Sequence, residues 1–213
     1  NIDARLYNKT GGFVWVNLRG RISKFDTSGI PVRVSGVLVD ISDRKRLEDQ
    51  LVELATTDDL TGLYNRGHGS ELLDRELTRA KRSDQPLSLI LMDVDHFKSI
   101  NDEFGHAVGD QVLVKISESL QNRIREVDIA ARWGGEEFVI ILPDTRLDDA
   151  KTIAGELQKG IRSLAKPDGN HLSMSMGVTQ YRTDESVSGL LKRADQLLYT
   201  AKNTGRNRME TQP

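Results

Sequence analysis

The chain has no cysteine, so disulfides, thiolate nucleophiles and cysteine-ligated zinc are all excluded; a reducing compartment is compatible with this. It also has no excess of either charge, with 30 basic against 32 acidic residues. That balance argues against broad attraction to nucleic acid or to an anionic membrane surface. No apolar run approaches the ~20 residues that span a bilayer, and no secretory signal pattern is present. Internal repeats and low-complexity segments are absent too. What remains is a chain of 213 residues whose apolar and charged shares suit one ordinary packed domain with a smaller unit beside it. The chain opens within a strand-like pattern, which is expected of a piece of a longer protein.

Residues 2–41 read as three strands. The alternation Val14, Val16, Leu18 marks the second, and Asp26-Thr27-Ser28-Gly29 the turn before the third. Such a sheet has one apolar face that needs a covering layer. From residue 43 to about 55 the period becomes helical, with Leu47, Leu51 and Leu54 on one seam. Under two heptads is too short for a stable coiled coil alone, but it suffices to set pairing in a connector; a helix packed on its own domain is the alternative. Further on, the spacing predicts a helix over 67–81, a buried strand over 87–92 and a helix over 97–104. A loop is expected over 105–110 and a helix over 111–124. Strands follow at 128–132 and 138–142, then a helix over 147–164 stopped by Pro167-Asp168-Gly169. A strand over 172–180 and a helix over 187–202 close the pattern. This order implies an α+β fold, a ferredoxin-like or palm-type antiparallel sheet with surrounding helices.

The stretch Arg132-Trp133-Gly134-Gly135-Glu136-Glu137-Phe138 lies between two of these strands. Two glycines there are expected to make a tight hairpin through positive φ, and two adjacent carboxylates call for a compensating cation. In a β-α-β-β-α-β order the first strand lies antiparallel beside the third. The strand end at Asp93 should therefore meet Glu136 and Glu137. Three carboxylates at one sheet edge suit Mg²⁺ or Mn²⁺, and two such ions could activate a hydroxyl and stabilise a leaving pyrophosphate. Lys98, Lys202 and Arg206 could hold phosphate oxygens. Asp95 is expected to face away from Asp93 in a structural role. His68, His96, His106 and His171 are read as structural, Trp133 and Phe138 as hairpin packing, and Met174 and Met176 as one strand face.

From about Thr56 to Met209 the chain resembles the GGDEF-domain diguanylate cyclases. The resemblance rests on Asp58-Asp59-Leu60-Thr61-Gly62-Leu63, Asn65-Arg66, Asp93-Val94-Asp95-His96-Phe97-Lys98, Asn101-Asp102, Phe104-Gly105-His106 with Gly109-Asp110, Gly134-Gly135-Glu136-Glu137-Phe138, and Lys202 with Gly205-Arg206-Asn207-Arg208. Each motif is weak alone; together and in order they are specific. The resemblance implies that two GTP molecules, one per protomer of a homodimer, condense to cyclic di-GMP and two pyrophosphates. It implies metal binding, two ions per site, by Asp93, the Val94 carbonyl and Glu137. Glu136 would be a further ligand or help deprotonate the 3′-hydroxyl. Asn101 and Asp110 would read the guanine edge, and Lys98, Lys202 and Arg206 the phosphates. Glu136 stands where the family's name has Asp. Arg125 and Asp128 resemble the family's inhibitory site for cyclic di-GMP.

Residues 1–42 resemble the C-terminal part of a PAS sensor domain, through Gly12-Phe13-Val14-Trp15-Val16, Gly36-Val37 and Asp40-Ile41-Ser42-Asp43-Arg44-Lys45. The organisation expected is therefore a PAS-like piece over 1–42, a connecting helix over 43–56 and the cyclase domain over 57–213. It would sit in a bacterial cytoplasm, with no membrane contact inside this stretch. A catalytically silent cyclic di-GMP receptor is the rival reading, although none of the acids or base-reading residues whose loss would mark one is missing. A different nucleotidyl cyclase or palm-type polymerase would share Asp93 and the hairpin acids without needing Asn101 and Asp110.

Overall fold

A computed structural model describes every residue except Thr10, Pro167 and Pro213. The chain divides into two compact units, Asn1–Leu54 and Ala55–Pro213.

In the first unit, β1 (Ile2–Tyr7), β2 (Phe13–Phe25) and β3 (Pro31–Asp40) form an antiparallel sheet in that order. The register sets Ile2 opposite Leu18 and Leu18 opposite Leu38, with Ile22 opposite Val34 beyond the Gly20–Gly36 pair. These side chains, 39–67% exposed, make an apolar stripe. Helix α1 (Ser42–Thr56) starts after Ser42 donates its backbone N–H to the Asp40 carboxylate at 2.8 Å. Its seam residues Leu47, Leu51 and Leu54 are exposed.

The second unit is built on a five-stranded sheet. In chain order its elements are α2 (Arg66–Ser83), β4 (Leu87–Val94), α3 (Phe97–Phe104), α4 (His106–Gln121), β5 (Ile129–Arg132), β6 (Glu137–Pro143), α5 (Leu147–Arg162), β7 (Met174–Gln180), α6 (Val187–Asn203) and β8 (Met209–Gln212). The strand order is β5-β6-β4-β7-β8. β4 is central and fully buried, flanked antiparallel by β6 and β7, as expected of its uninterrupted apolar character. One face packs on α3, α4 and α5 through residues such as Ile90, Met92, Ile116, Ile140 and Leu157. The other packs on α2 and α6 through Leu73, Leu89, Leu91, Val139 and Leu198. Alternation along β4 and β6 sends successive side chains to opposite layers. Phe138, Met174 and Met176 are fully buried.

The departures from the sequence expectation have local causes. Residues 106–110, expected as loop, are the first turns of α4, which ends at Gln121, before residue 124. Gly105, at φ 84°, ends α3, and α4 begins at the next residue. Gly109 lies inside that helix because the Asn101 side chain occupies the space a Cβ would need. Helix α5 ends at Arg162 with Ser163 as its cap. Of its expected stop signal, Pro167 lies outside the described residues, while Gly169 (φ 82°) serves a separate turn closed by Asn170 N–H donating to Asp168. Strand β8, which pairs parallel with β7, carries too short an apolar pattern to be legible. Among the described residues, no helix is long and apolar enough to cross a membrane.

Candidate active site

The edge where β4 ends and β6 begins gathers the chemistry. The register pairs Asp93 with Glu137, and Val94 N–H donates to the Glu136 carbonyl at 3.2 Å. Residues 44 positions apart are thereby held as cross-strand neighbours, as the antiparallel first-beside-third arrangement requires. The turn closes through Trp133 N–H and Gly134 N–H, which donate to the Glu137 carbonyl at 2.7 and 3.3 Å.

The expected reason for the glycines does not hold. Neither Gly134 nor Gly135 has positive φ. A Cβ at Gly134 would lie 2.7 Å from the Glu137 carboxylate, the end of a flexible side chain that can shift; at Gly135 a Cβ would meet nothing. Glu137 is thus folded back against Gly134.

Asp93 is 6% exposed and bonds the Lys202 ammonium at 2.7 Å. Burial raises its pKa, an effect Lys202 opposes, and the neighbouring Asp95 charge adds to the rise. Glu136 is raised as well, first by burial and then by the Asp93 charge. A carboxylate that raises the pKa of a neighbouring one marks a place where a cation is favoured. The donors are all oxygen, which suits a hard divalent ion. No three His, Asp or Glu side chains among the described residues stand close enough to form a ready-made cage. The carboxylates therefore share an edge without converging: Asp93 is engaged by Lys202 and Glu137 lies on Gly134. An ion here would take further ligands from water and phosphate, the usual habit of Mg²⁺.

Helix α3 starts just beyond β4 and carries Lys98, exposed, and Asn101, half-buried one turn later. Asn101 lies against Gly109, next to Asp110, which is exposed in the first turns of α4. The amide thus lies against the residue that precedes the carboxylate in α4; an amide and a carboxylate are groups able to satisfy a guanine edge. Across the same strand end, Lys202 lies in the last turn of α6. Arg206 follows in a left-handed conformation (φ 58°), its N–H donating to the Ala201 carbonyl at 3.0 Å.

Three relationships were not legible beforehand. Arg132 Nη1 donates to both oxygens of Asp58, at 3.0 and 3.1 Å, tying the Asp58–Thr61 turn to the hairpin. Asp95 is buried and accepts from Ser173, Ser175 and Asn207. The expected orientation away from Asp93 does not follow: alternation puts residues two apart on one strand face, and Asp95 bonds Ser175, the cross-strand partner of Asp93. Thr145 accepts from Arg125 Nη2 at 2.7 Å.

Arg125 and Asp128 form a second locus. Nε and Nη2 of Arg125 donate to the two Asp128 oxygens at 3.1 and 2.8 Å, a fork geometry. The Asp128 side chain is fully buried and that of Arg125 53% exposed. This is a guanidinium mounted on a buried carboxylate, not an exposed pair of little consequence. Beside it opens a cleft of about 470 Å³ lined by Tyr64, Gln121 and Glu126 among others.

An α+β palm carrying an acidic strand edge beside an amide–carboxylate pair and a basic helix end defines a nucleotide-handling class of protein. The family described as Diguanylate cyclase, GGDEF domain, matches residues 55–208, and the chain belongs to it. It is 36% identical over 208 residues to diguanylate cyclase DgcM of Escherichia coli, covering 95% of this chain and 51% of that protein. The GGDEF domain of DgcB from Caulobacter crescentus, solved in complex with c-di-GMP, matches at 34% identity with a TM-score of 0.71, covering 74% of this chain and 93% of that one. The active GGEEF domain of a diguanylate cyclase from Vibrio cholerae matches at 36% identity with a TM-score of 0.66, covering 69% and 96%. The chain spans about half of DgcM and a quarter of Pseudomonas aeruginosa DgcP, with which it is 43% identical over 167 residues.

Proposed function

We propose that this chain condenses two GTP molecules into cyclic di-GMP and two pyrophosphates. In each half-reaction the 3′-hydroxyl of one GTP attacks the α-phosphorus of the other, losing its proton as the pyrophosphate leaves. The observation that carries this reading is the pairing of Asp93 with Glu137 at one sheet edge, within a chain that retains every acid and base-reading residue of the family pattern.

Asn101 and Asp110 would orient guanine, the carboxylate accepting from the ring N–H and amino group. Lys98, Lys202 and Arg206 would neutralise phosphate oxygens. Lys202, on Asp93 at 2.7 Å, is placed to move from carboxylate to phosphate as substrate arrives. Asp93, the Val94 carbonyl and Glu137 would hold Mg²⁺ or Mn²⁺, two ions per site, with Glu136 as a further ligand. When bound, these ions supply charge stabilisation at the attacking and leaving oxygens. Glu136, its pKa raised, is suited to receive the hydroxyl proton.

One site holds one GTP, so the reaction needs two protomers facing each other, and the exposed seam of α1 is suited to pairing them. Arg125 and Asp128 would bind the product and limit synthesis. The first unit is read as the C-terminal part of a PAS-like sensor, its apolar stripe the face such a domain covers; the site of action is the bacterial cytoplasm.

The test is incubation with GTP and Mg²⁺ at high and low protein concentration, resolving nucleotides by chromatography, with Glu137→Ala as control. Cyclic di-GMP from the parent alone, with specific activity rising with concentration, is expected. Cyclic di-GMP binding without synthesis at any concentration would overturn the enzyme reading in favour of a receptor.

A further inference from the structure

Asp95 is 2% exposed, two residues beyond the strand edge that carries the acidic site, and takes no part in the chemistry above. Its carboxylate is nevertheless engaged from three sides. Oδ1 accepts from Ser175 Oγ at 2.7 Å, and Oδ2 accepts from Ser173 Oγ at 2.8 Å and from the Asn207 backbone N–H at 2.9 Å. The serines belong to β7 and the segment leading into it. Asn207 belongs to the exposed turn after α6.

That turn carries unusual backbone. Arg206 and Asn207 both have left-handed φ, 58° and 48°, and Gly205 stands at 121°. Left-handed geometry in consecutive residues that are not glycine is unfavourable and persists where the surroundings impose it. Three contacts tie the turn to its surroundings. One is the Asp95 carboxylate on Asn207 N–H; the others are Met176 N–H, which donates to the Arg208 carbonyl at 2.9 Å, and Arg206 N–H, which donates to the Ala201 carbonyl of α6 at 3.0 Å. The first is a charge-assisted bond inside a buried site, the stronger kind. The Arg206 side chain is exposed, and its position on this turn brings its charge close enough to oppose the rise in Asp93's pKa.

We infer that Asp95 is a positioning residue for the nucleotide triphosphate: by holding the Asn207 amide it fixes the turn that presents Arg206, beside Lys202, to the phosphates at the end of β4. This rests on the reading of the site as GTP-binding. It distinguishes Asp95 from a carboxylate that only stabilises the sheet, because the effect it predicts is confined to the charged part of the ligand.

The experiment compares Asp95→Ala and Asp95→Asn with the parent in three measurements. These are the Kd for a GTP analogue with a methylene-bridged α,β-linkage, the Kd for guanosine, and hydrogen exchange of the Asn207 amide. Asp95→Ala should weaken the triphosphate roughly tenfold, the loss expected when a charge-assisted contact is misplaced. It should leave guanosine affinity within about twofold and speed exchange at Asn207. Asp95→Asn should restore both, since the amide oxygen can accept from Asn207 while the Ser175 hydroxyl rotates to accept from the amide nitrogen. Equal loss for both ligands, or fewer binding-competent molecules at unchanged Kd, would mean a merely structural role and overturn the proposal. So would weakened triphosphate binding with Asn207 exchange unchanged, since the loss would then come from Asp93. If Asp95→Ala does not fold, Ser173→Ala removes the hydroxyl that shares Oδ2 with Asn207; a smaller loss is expected, again confined to the triphosphate, and equal effects on both ligands refute the proposal. A parent that binds neither ligand refutes the GTP reading itself, separately from the role of Asp95.

Discussion

Arg132 bridges Asp58 and the hairpin: Nη1 donates to both Asp58 oxygens at 3.0 and 3.1 Å, while Nε and Nη2 donate to the Gly135 carbonyl at 3.2 and 2.8 Å. Asp58 in turn accepts from Thr61 N–H and Oγ, at 3.0 and 2.7 Å. One guanidinium thus fixes the entry turn of the second unit against the loop that bears Glu136. The side chains are only 16% and 23% exposed, so the pair is worth more than a surface ion pair. Burial alone would raise the Asp58 pKa; the hydrogen bonds from Thr61 and Arg132 outweigh it, and the net shift is downward. A depressed carboxylate contributes stability that is fully present above its unfolded pKa and lost as pH falls through its folded one. Asp58→Asn should therefore lower stability at neutral pH by about 1–3 kcal/mol. It should also flatten the loss of stability below about pH 4, where Asp58 takes up a proton in the unfolded parent before it does so in the folded one. Denaturant titrations of both proteins from pH 3 to 7 check this; parallel curves across that range would refute it.

The antiparallel pairing of β4 with β6 and the meeting of Asp93 with Glu137 were legible because they follow from element order, and β4's apolar run admits no exposed placement. The Asp58–Arg132 bridge was not, because residues 74 apart in sequence carry no periodic signal that they pair. The role of Gly134 was misread for a different reason. A glycine in a turn suggests positive φ, whereas Gly134 lacks it and lies against the Glu137 carboxylate, and only the folded geometry separates the two. Asn101 and Asp110 were nominated by resemblance alone; that Asn101 lies against Gly109, the neighbour of Asp110, depends on α4 beginning immediately after Gly105.

That arrangement makes Gly109 a sensitive position. A Cβ there would overlap the Asn101 amide oxygen, yet alanine in a helix interior is favoured over glycine by about 1 kcal/mol. The two effects separate cleanly. Gly109→Ala should leave the melting temperature near the parent value while weakening GTP by about tenfold, the scale of one displaced guanine contact. Its preference for GTP over ATP should fall as well. Calorimetric titration with both nucleotides is the check, and retention of full GTP selectivity would remove Asn101 from base recognition.

Arg125 sits on a carboxylate with no exposure of its own, so removing it has two consequences. Arg125→Ala should abolish cyclic di-GMP binding at the second locus and relieve any product inhibition. It should also destabilise the domain by about 1–3 kcal/mol, because the Asp128 charge is left buried with fewer partners. Arg125→Ala with Asp128→Ala should recover part of that stability without recovering product binding. Progress curves with added cyclic di-GMP and chemical denaturation of the three variants separate the two effects. Inhibition that persists in Arg125→Ala would rule this locus out as the product site.

The seam of α1 offers a third kind of test, one that acts on assembly and leaves the chemistry intact. Leu47, Leu51 and Leu54 are 61%, 66% and 62% exposed, and apolar side chains at such spacing gain from burial against a second helix, about 1.5–3 kcal/mol each when fully covered. A helix this short cannot hold a coiled coil alone, so pairing should be weak and its loss visible as a concentration effect. Leu51→Glu places a charge in the middle of the seam. At low protein concentration its cyclic di-GMP synthesis should fall at least tenfold, and raising the concentration should restore much of it, since the GTP site of each protomer is untouched. Sedimentation of both proteins over the same range should show the dimer shifting in parallel with activity. If Leu51→Glu synthesises cyclic di-GMP as the parent does at every concentration, the two GTP sites are brought together by another surface.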